Sequence, residues 1–272
     1  ELADRALEWG CDSLFFDQIG SDEYPCCDPN HKHPIFWTGT ARAKAENIRR
    51  IREYLRSHNP EVALGIELIS DVTAQYVDYV HTLVGGCAVP DDWEQTGQKP
   101  VSRSFLEWFR YIFPEVIVSD REIRDDTDIE RRVNHAVMLG LRSDVEIYRC
   151  RRTIASTPYY SSYLAKINQL RQRQAHLLLE GRYIDTDCFT LSTDEVDARA
   201  FKAEDDTGGM AIVITQSHLP RATVVLTQTN PKLHFGSSDG VGAFKAIPVE
   251  QNRVEVELSR HALVVLVFAP VA

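Results

Sequence analysis

Three short apolar runs in the first half of the chain each stop on a carboxylate. Ser13–Phe16 leads to Asp17, Val62–Ile66 to Glu67, and Val116–Val118, through Ser119, to Asp120. Stretches with helical spacing lie around and between them. Leu2, Ala6 and Trp9 fall on one face of an opening helix, and Ala41, Ala45, Ile48, Ile51 and Leu55 mark about four helical turns ended by Ser57-His58-Asn59-Pro60. A brief helix is expected over 71–78 and a weaker strand over Tyr79–Val84. Phe105–Phe113 fits helix or strand; Asp128 opens a helix through Ile129, Val133, Ala136 and Val137; Asp144–Tyr148 reads as a strand. Thr157-Pro158 opens a long helix, Tyr160–Glu180, with Pro158 where its missing N–H costs nothing and Gly181 as the cap.

From about Cys188 the period changes to two. Val254–Leu258 alternates, Ala211–Thr215, Thr223–Thr227 and Leu263–Phe268 are strand-like, and Gly208-Gly209 marks a hairpin turn. The expected architecture is α/β. Residues 1–187 form the C-terminal part of a TIM-type (β/α)8 barrel that carries the chemistry, and residues 188–272 form a small antiparallel β-sandwich. About five strand units precede the sandwich, fewer than a closed barrel requires. The chain also starts on Glu1 within a helical pattern, so the barrel's first strands are expected upstream, in a part of the polypeptide that is missing here.

Composition narrows the function classes. The 272 residues are 43% hydrophobic and 26% charged, ordinary for a folded protein, and the formal net charge of −10 argues against a general nucleic-acid binder. Arg49, Arg50, Arg52 and Arg56 cluster at helical spacing and read as a solvated face. No apolar run approaches membrane-spanning length, no membrane partner is expected, and no signal peptide is visible, so the compartment stays open. The six cysteines contain no Cys-x-x-Cys pair and suggest reduced or buried thiols.

Helix, strand, acid, repeated, favours a parallel sheet with its acids on one edge, and paired carboxylates at such an edge are what glycosidic bond cleavage asks for. Asp17 is assigned as nucleophile, Glu67 as acid/base, and Asp120 as a transition-state stabiliser or hydroxyl ligand; the bland alternative for each is a cap or a solvated acid. The stretch Gln18–Thr40 is too long and too rich in aromatics and histidines for a linker, and it is expected to line the site. Gln18, Tyr24, His31, His33, Trp37 and, from the next strand, His81 are the candidate substrate-binding residues, with Trp93 a further stacking candidate. A carbohydrate is the expected partner.

The same loop holds Cys26, Cys27, Asp28, His31 and His33, all metal-ligand types. His-x-His in metal hydrolases of the barrel class stands at a strand end, whereas here it lies between prolines, so no metal is assigned and a metal-dependent hydrolase is the lesser alternative. No phosphate-binding glycine loop or nucleophile elbow is present, and no cofactor is expected. The other competing class is a non-catalytic carbohydrate-binding or scaffold barrel.

Asp17-Gln18-Ile19-Gly20, His31-Lys32-His33-Pro34 with Trp37, Glu67 after an apolar strand, and Phe113-Pro114 before another strand resemble a family of uncharacterised bacterial domains. These are glycoside-hydrolase-like (β/α)8 barrels followed by a β-sandwich, and the resemblance covers roughly residues 1–185. It is also similar to the amylase-type order of acids, which implies Asp17 as nucleophile, Glu67 as acid/base and Asp120 as the third acid. Lys32 and Leu68 stand where that pattern has glycine.

Overall fold

The computed structural model describes residues 1–19, 26, 28, 30–31, 37–82, 103–120, 129–143, 153–204, 209–215, 219–227, 232–237, 244–258 and 263–268, without the side chains of 37, 38, 82, 103, 104 and 120. In chain order the first elements are α1 (Leu2–Glu8), β1 (Ser13–Phe16), α2 (Trp37–His58), β2 (Ala63–Glu67), α3 (Asp71–Ala74), β3 (Tyr79–Thr82), α4 (Arg103–Ile112), β4 (Ile117–Asp120), α5 (Ile129–Met138) and β5 (Arg142–Ser143). A short 3₁₀ turn at Ile154–Ser156 precedes α6 (Pro158–Arg173) and α7 (Ala175–Leu178). The remaining strands are β6 (Arg182–Asp185), β7 (Phe189–Leu191), β8 (Ala198–Lys202), β9 (Met210–Thr215), β10 (Arg221–Leu226), β11 (Leu233–Ser237), β12 (Lys245–Ile247), β13 (Arg253–Glu257) and β14 (Leu263–Phe268). The chain divides into two compact units, Glu1–Leu83 with Glu115–Asp120, and Val84–Pro114 with Arg121–Ala272.

In the first unit β1, β2, β3 and β4 pair in that order, all parallel. The register sets two faces. Leu14, Phe16, Leu64, Ile66, Val80 and Val118 point one way, and all but the two β1 residues are fully buried. The apolar stripe of α2 is buried in the same unit through Ala45, Ile48 and Leu55. Each fully buried Leu or Ile of this set contributes about 1.5–3 kcal/mol. The sequence pattern made Trp37 part of the loop; α2 starts on it. It also placed Leu2, Ala6 and Trp9 on one face of the opening helix; α1 ends before Trp9, and only Ala6 is buried, while Leu2 and Trp9 are 65% and 77% exposed. A seven-residue helix offers too short a stripe to bury three positions. It ends where Gly10, at φ +70°, lets the Cys11 amide reach back to the Ala6 carbonyl.

The arginines of α2 are tied down. Arg49 and Arg50 pair with Glu46, whose carboxyl they hold down at about 2, and Arg52 and Arg56 pair with Asp78. Asp78 also accepts from the Leu64 amide at 2.8 Å. One carboxylate thus fastens the C-terminal half of α2 to the start of β2.

The second unit contains two antiparallel sheets, β13-β10-β7 and β12-β11-β14-β9-β8-β6. Their facing residues, among them Phe189, Ala198, Ile212, Ala222, Val224, Val254, Val256, Val264 and Leu266, make one core. β13 alternates exposed and buried, as its period-two sequence predicts. β9 and β14 do not alternate, because α5 packs against β9 and the larger sheet is buried on both faces at its centre. Phe105–Phe113, ambiguous in sequence, is helical as far as Ile112, with Leu106 and Phe109 buried. Asp144–Tyr148 lies outside the described residues; the described strand there is Arg142–Ser143.

The long helix expected to run to Glu180 stops at Arg173 and resumes as α7 after Gln174 leaves helical geometry. A buried arginine accompanies the break. Arg171, 2% exposed, donates to the carbonyls of Leu141 and Leu178, Arg142 donates to that of Leu179, and Arg110 to that of Leu139. These guanidinium groups satisfy carbonyls at or just beyond the C-terminal ends of α5 and α7, where the helix dipole favours positive charge. Gly140, at φ +71°, closes α5 in a Schellman motif, with the Leu141 amide on the Ala136 carbonyl; a Cβ there would come within 2.7 Å of the Phe201 ring. Gly181 answers to close approach rather than to a cap, since a Cβ on it would lie 2.3 Å from the Leu177 carbonyl.

Burial pushes the Cys188 thiol up to about 12. Folding therefore gains from the protonated thiol in full below the ordinary thiol range of about 8.5 and loses that gain as pH rises towards the folded value. Cys188 is expected to stay unlabelled by iodoacetamide at pH 8 in native buffer and to react fully in denaturant. Residue-resolved mass spectrometry checks this, and labelling of native Cys188 at the rate of Cys11 would contradict it.

Candidate functional site

Because β1–β4 run parallel, their C-terminal ends share one edge, and the backbone positions of Asp17, Glu67 and Asp120 lie at the ends of β1, β2 and β4. The register separates them. Glu67 pairs with His81 and His81 with Ser119, so Glu67, His81 and Ser119 form one row, and Asp120, opposite Thr82, lies one step beyond it. Asp17 directly follows Phe16, the partner of Ile66, at the level of Glu67. Neighbouring strands of a parallel sheet sit about 4.8 Å apart, so side chains in one row are neighbours.

Glu67 is the buried member, 5% exposed, and Asp17 is exposed. The Gln18 amide donates to Glu67 Oε2 at 3.1 Å, and the Leu68 amide donates to the His81 carbonyl at 2.8 Å. Both arrangements use left-handed backbone: Gln18 has φ 58° and Leu68 φ 70°. The turns after β1 and β2 are therefore bent into a conformation that favours glycine, which accounts for a glycine in the pattern that Leu68 departs from. Gln18, expected as a substrate ligand, holds Glu67 through its main chain. Replacing it with glycine keeps the N–H donor and removes the left-handed penalty, so Gln18→Gly is expected to leave the melting temperature unchanged or raised, whereas Gln18→Val should lower it. Thermal unfolding by circular dichroism reads the difference.

One level below the acids, Phe15, Gly65, Tyr79 and Ile117 form the next row on the same face. Phe15 stacks on Tyr79 with ring centres 6.0 Å apart and meets His81 edge-on at 5.5 Å, and Ser13 shares a 2.7 Å hydrogen bond with the Tyr79 hydroxyl. Gly65 lets the Tyr79 ring lie across β2, since a Cβ would sit 2.1 Å from it. Phe15 and Ile117 remain 38% and 45% exposed on this face. The result is a buried carboxylate and an imidazole above an aromatic floor. Sequence reading missed Phe15 and Tyr79; alternation marks their face only once the register is known.

Of the other candidates, His31 lies beside Cys26 and Asp28 in the stretch between β1 and α2, with Cys26 Sγ 2.9 Å from Nδ1 and Asp28 Oδ2 3.4 Å from Nε2. Tyr24, His33, Cys27 and Trp93 lie outside the described residues, as do the side chains of Trp37 and Asp120. Among the described residues no group of three or more His, Cys, Asp and Glu side chains could hold a metal ion, and no helix is long and apolar enough to cross a membrane. In the second unit a cavity of about 800 Å³ is lined by Thr223, Pro248, Glu250, Gln251, Arg253 and Glu255, with no aromatic among these residues.

No protein-family model matches the chain, and no curated protein matches it. Solved structures do. An α-amylase of Anoxybacillus matches over 100% of this chain and 62% of its own, with a TM-score of 0.55 at 12% identity. A GH27 β-L-arabinopyranosidase from Geobacillus stearothermophilus matches over 100% and 60%, with 0.58 at 11%. An α-amylase from Geobacillus thermoleovorans, complexed with acarbose, matches over 100% and 64%, with 0.57 at 14%. The class this defines is a glycoside-hydrolase-like fold, a mixed α/β chain with parallel and antiparallel sheets. The chain spans less than two thirds of the length of each of these structures.

Proposed function

We propose that this chain is the C-terminal part of a glycoside-hydrolase-like (β/α)8 barrel, residues 1–187, with a β-sandwich over 188–272, and that it acts on a carbohydrate by two-carboxylate hydrolysis. The observation that supports this best is Glu67, a carboxyl buried at the C-terminal end of a parallel strand and level with Asp17. Asp17, exposed at the strand end, is the nucleophile that attacks the anomeric carbon; Glu67 protonates the leaving oxygen and then activates water. Asp120 stabilises the transition state or holds a hydroxyl. His81, in the row of Glu67, binds a sugar hydroxyl, and the Phe15–Tyr79 pair offers the apolar floor that a pyranose face complements. The acarbose and the arabinose bound by two neighbours in this fold class agree with a carbohydrate as partner.

Turnover of an aryl-glycoside panel, by a polypeptide carrying all the barrel strands, tests the reading. Asp17→Asn is expected to abolish formation of the glycosyl-enzyme and to leave sugar affinity in place. Unchanged turnover in that variant, or neither turnover nor sugar affinity in the parent, would overturn it.

A further inference from the structure

Cys26, Asp28 and His31 form a second chemical constellation, outside the strand-end carboxylates. The His31 ring stands between a thiol and a carboxylate: Cys26 Sγ lies 2.9 Å from Nδ1, and Asp28 Oδ2 lies 3.4 Å from Nε2. With Nδ1 accepting from the thiol, the ring's own proton is on Nε2, facing the carboxylate. Nucleophile, base and orienter are thus in sequence on one imidazole. The carboxylate is itself held, because its other oxygen, Oδ1, accepts from the Asn30 amide at 2.8 Å and from the Asn30 side chain at 3.0 Å. The His31 amide closes the turn on the Asp28 carbonyl at 3.3 Å. All of this falls within six residues, so the local chain builds the arrangement. The site is also open, with Cys26 half-buried and the His31 and Asp28 side chains 54% and 44% exposed.

The geometry does not suit one metal, since thiolate and carboxylate stand on opposite nitrogens of the ring and cannot share a coordination sphere with it. Acyl transfer would need, besides these three residues, donors for an oxyanion. Thiol–disulfide exchange needs only a thiolate and an open approach. We propose that Cys26 is a thiol-modification site that exchanges with low-molecular-weight disulfides, with His31 as its base and Asp28 orienting that base. In the step the Sγ proton passes to Nδ1, Sγ attacks one sulfur of the disulfide, a Cys26–S–S–R bond forms as the S–S bond of the reagent breaks, and the departing thiolate takes up the proton. One disulfide is consumed and one is made.

The test uses the full chain with Cys27→Ser, so that the adjacent cysteine does not share the label, and oxidised glutathione as probe at pH 7, with adducts located by mass spectrometry. Cys11, also half-buried, is the internal reference. Cys26 is expected to be modified on the order of tenfold faster than Cys11. His31→Ala should bring Cys26 down to the Cys11 rate at pH 7, and the parent and variant rates should converge at alkaline pH, where solvent supplies the thiolate. Equal rates at the two cysteines, or a rate indifferent to His31→Ala, would overturn the proposal. Should that variant fail to fold, the parent protein decides alone: the Cys26 to Cys11 rate ratio falls towards one as pH rises, and a ratio independent of pH refutes the assignment.

Discussion

Glu67→Gln is expected to lower glycoside turnover by roughly 10²–10⁴-fold, the range that a positioned acid/base supplies. Folding should survive, because glutamine keeps an oxygen to accept from the Gln18 amide that now donates to Oε2 at 3.1 Å. Thermal unfolding of the variant within a few degrees of the parent would show that the loss is chemical. The loss should also depend on the leaving group. An activated aryl glycoside needs little protonation, so the first step with such a substrate should fall less than with an alkyl glycoside. Equal loss on both substrates would assign Glu67 to binding, and turnover surviving intact would remove it from the mechanism.

Gly65→Ala is expected to be the most damaging small substitution in the first unit. The added methyl would lie 2.1 Å from the Tyr79 ring, on a central strand with no room to shift, and overpacking of this kind costs about 1–3 kcal/mol. The ring must rotate away, which breaks its stack on Phe15 and its hydrogen bond to Ser13. Combining Gly65→Ala with Tyr79→Ala should recover part of the loss, because the clash disappears with the ring. Denaturant unfolding of the two single variants and the double variant gives the coupling. Strict additivity would mean that the ring and the glycine do not meet in solution.

Much of the first unit was legible in the sequence because its strands are short apolar runs, and β2 is buried on both faces. Val62–Ile66 reads as a strand without any partner in view, and β2 occupies Ala63–Glu67. The alternation of Val254–Leu258 likewise matched β13, whose outer face meets solvent. Failures fall where a neighbour outside the local window decides. Pro158 marked the start of α6, but nothing local showed that the helix would break at Gln174, beside an arginine buried against the carbonyls of Leu141 and Leu178. Leu2 and Trp9 had the spacing of one helical face with Ala6, yet both are exposed.

The candidate site divides the same way. Asp17, Glu67 and Asp120 were visible as acids closing apolar runs, a signal carried by the chain one residue at a time. Phe15, Gly65 and Tyr79 were not, because their adjacency depends on the register of three parallel strands. A slip of one residue would send each to the opposite face. Hydrophobic period and chain order sufficed for β1 to β4, for the acids that close three of them and for the change to antiparallel structure, but not for β6, β7, β8, β11 and β12, which no pattern marked. Packing between strands is what buries Glu67 against the Gln18 amide, puts His81 in its row and lays an aromatic floor beneath them. Register, and the left-handed turns at Gln18 and Leu68, are settled by contacts with other strands, Gln18 with Glu67 and Leu68 with His81, which no local pattern encodes.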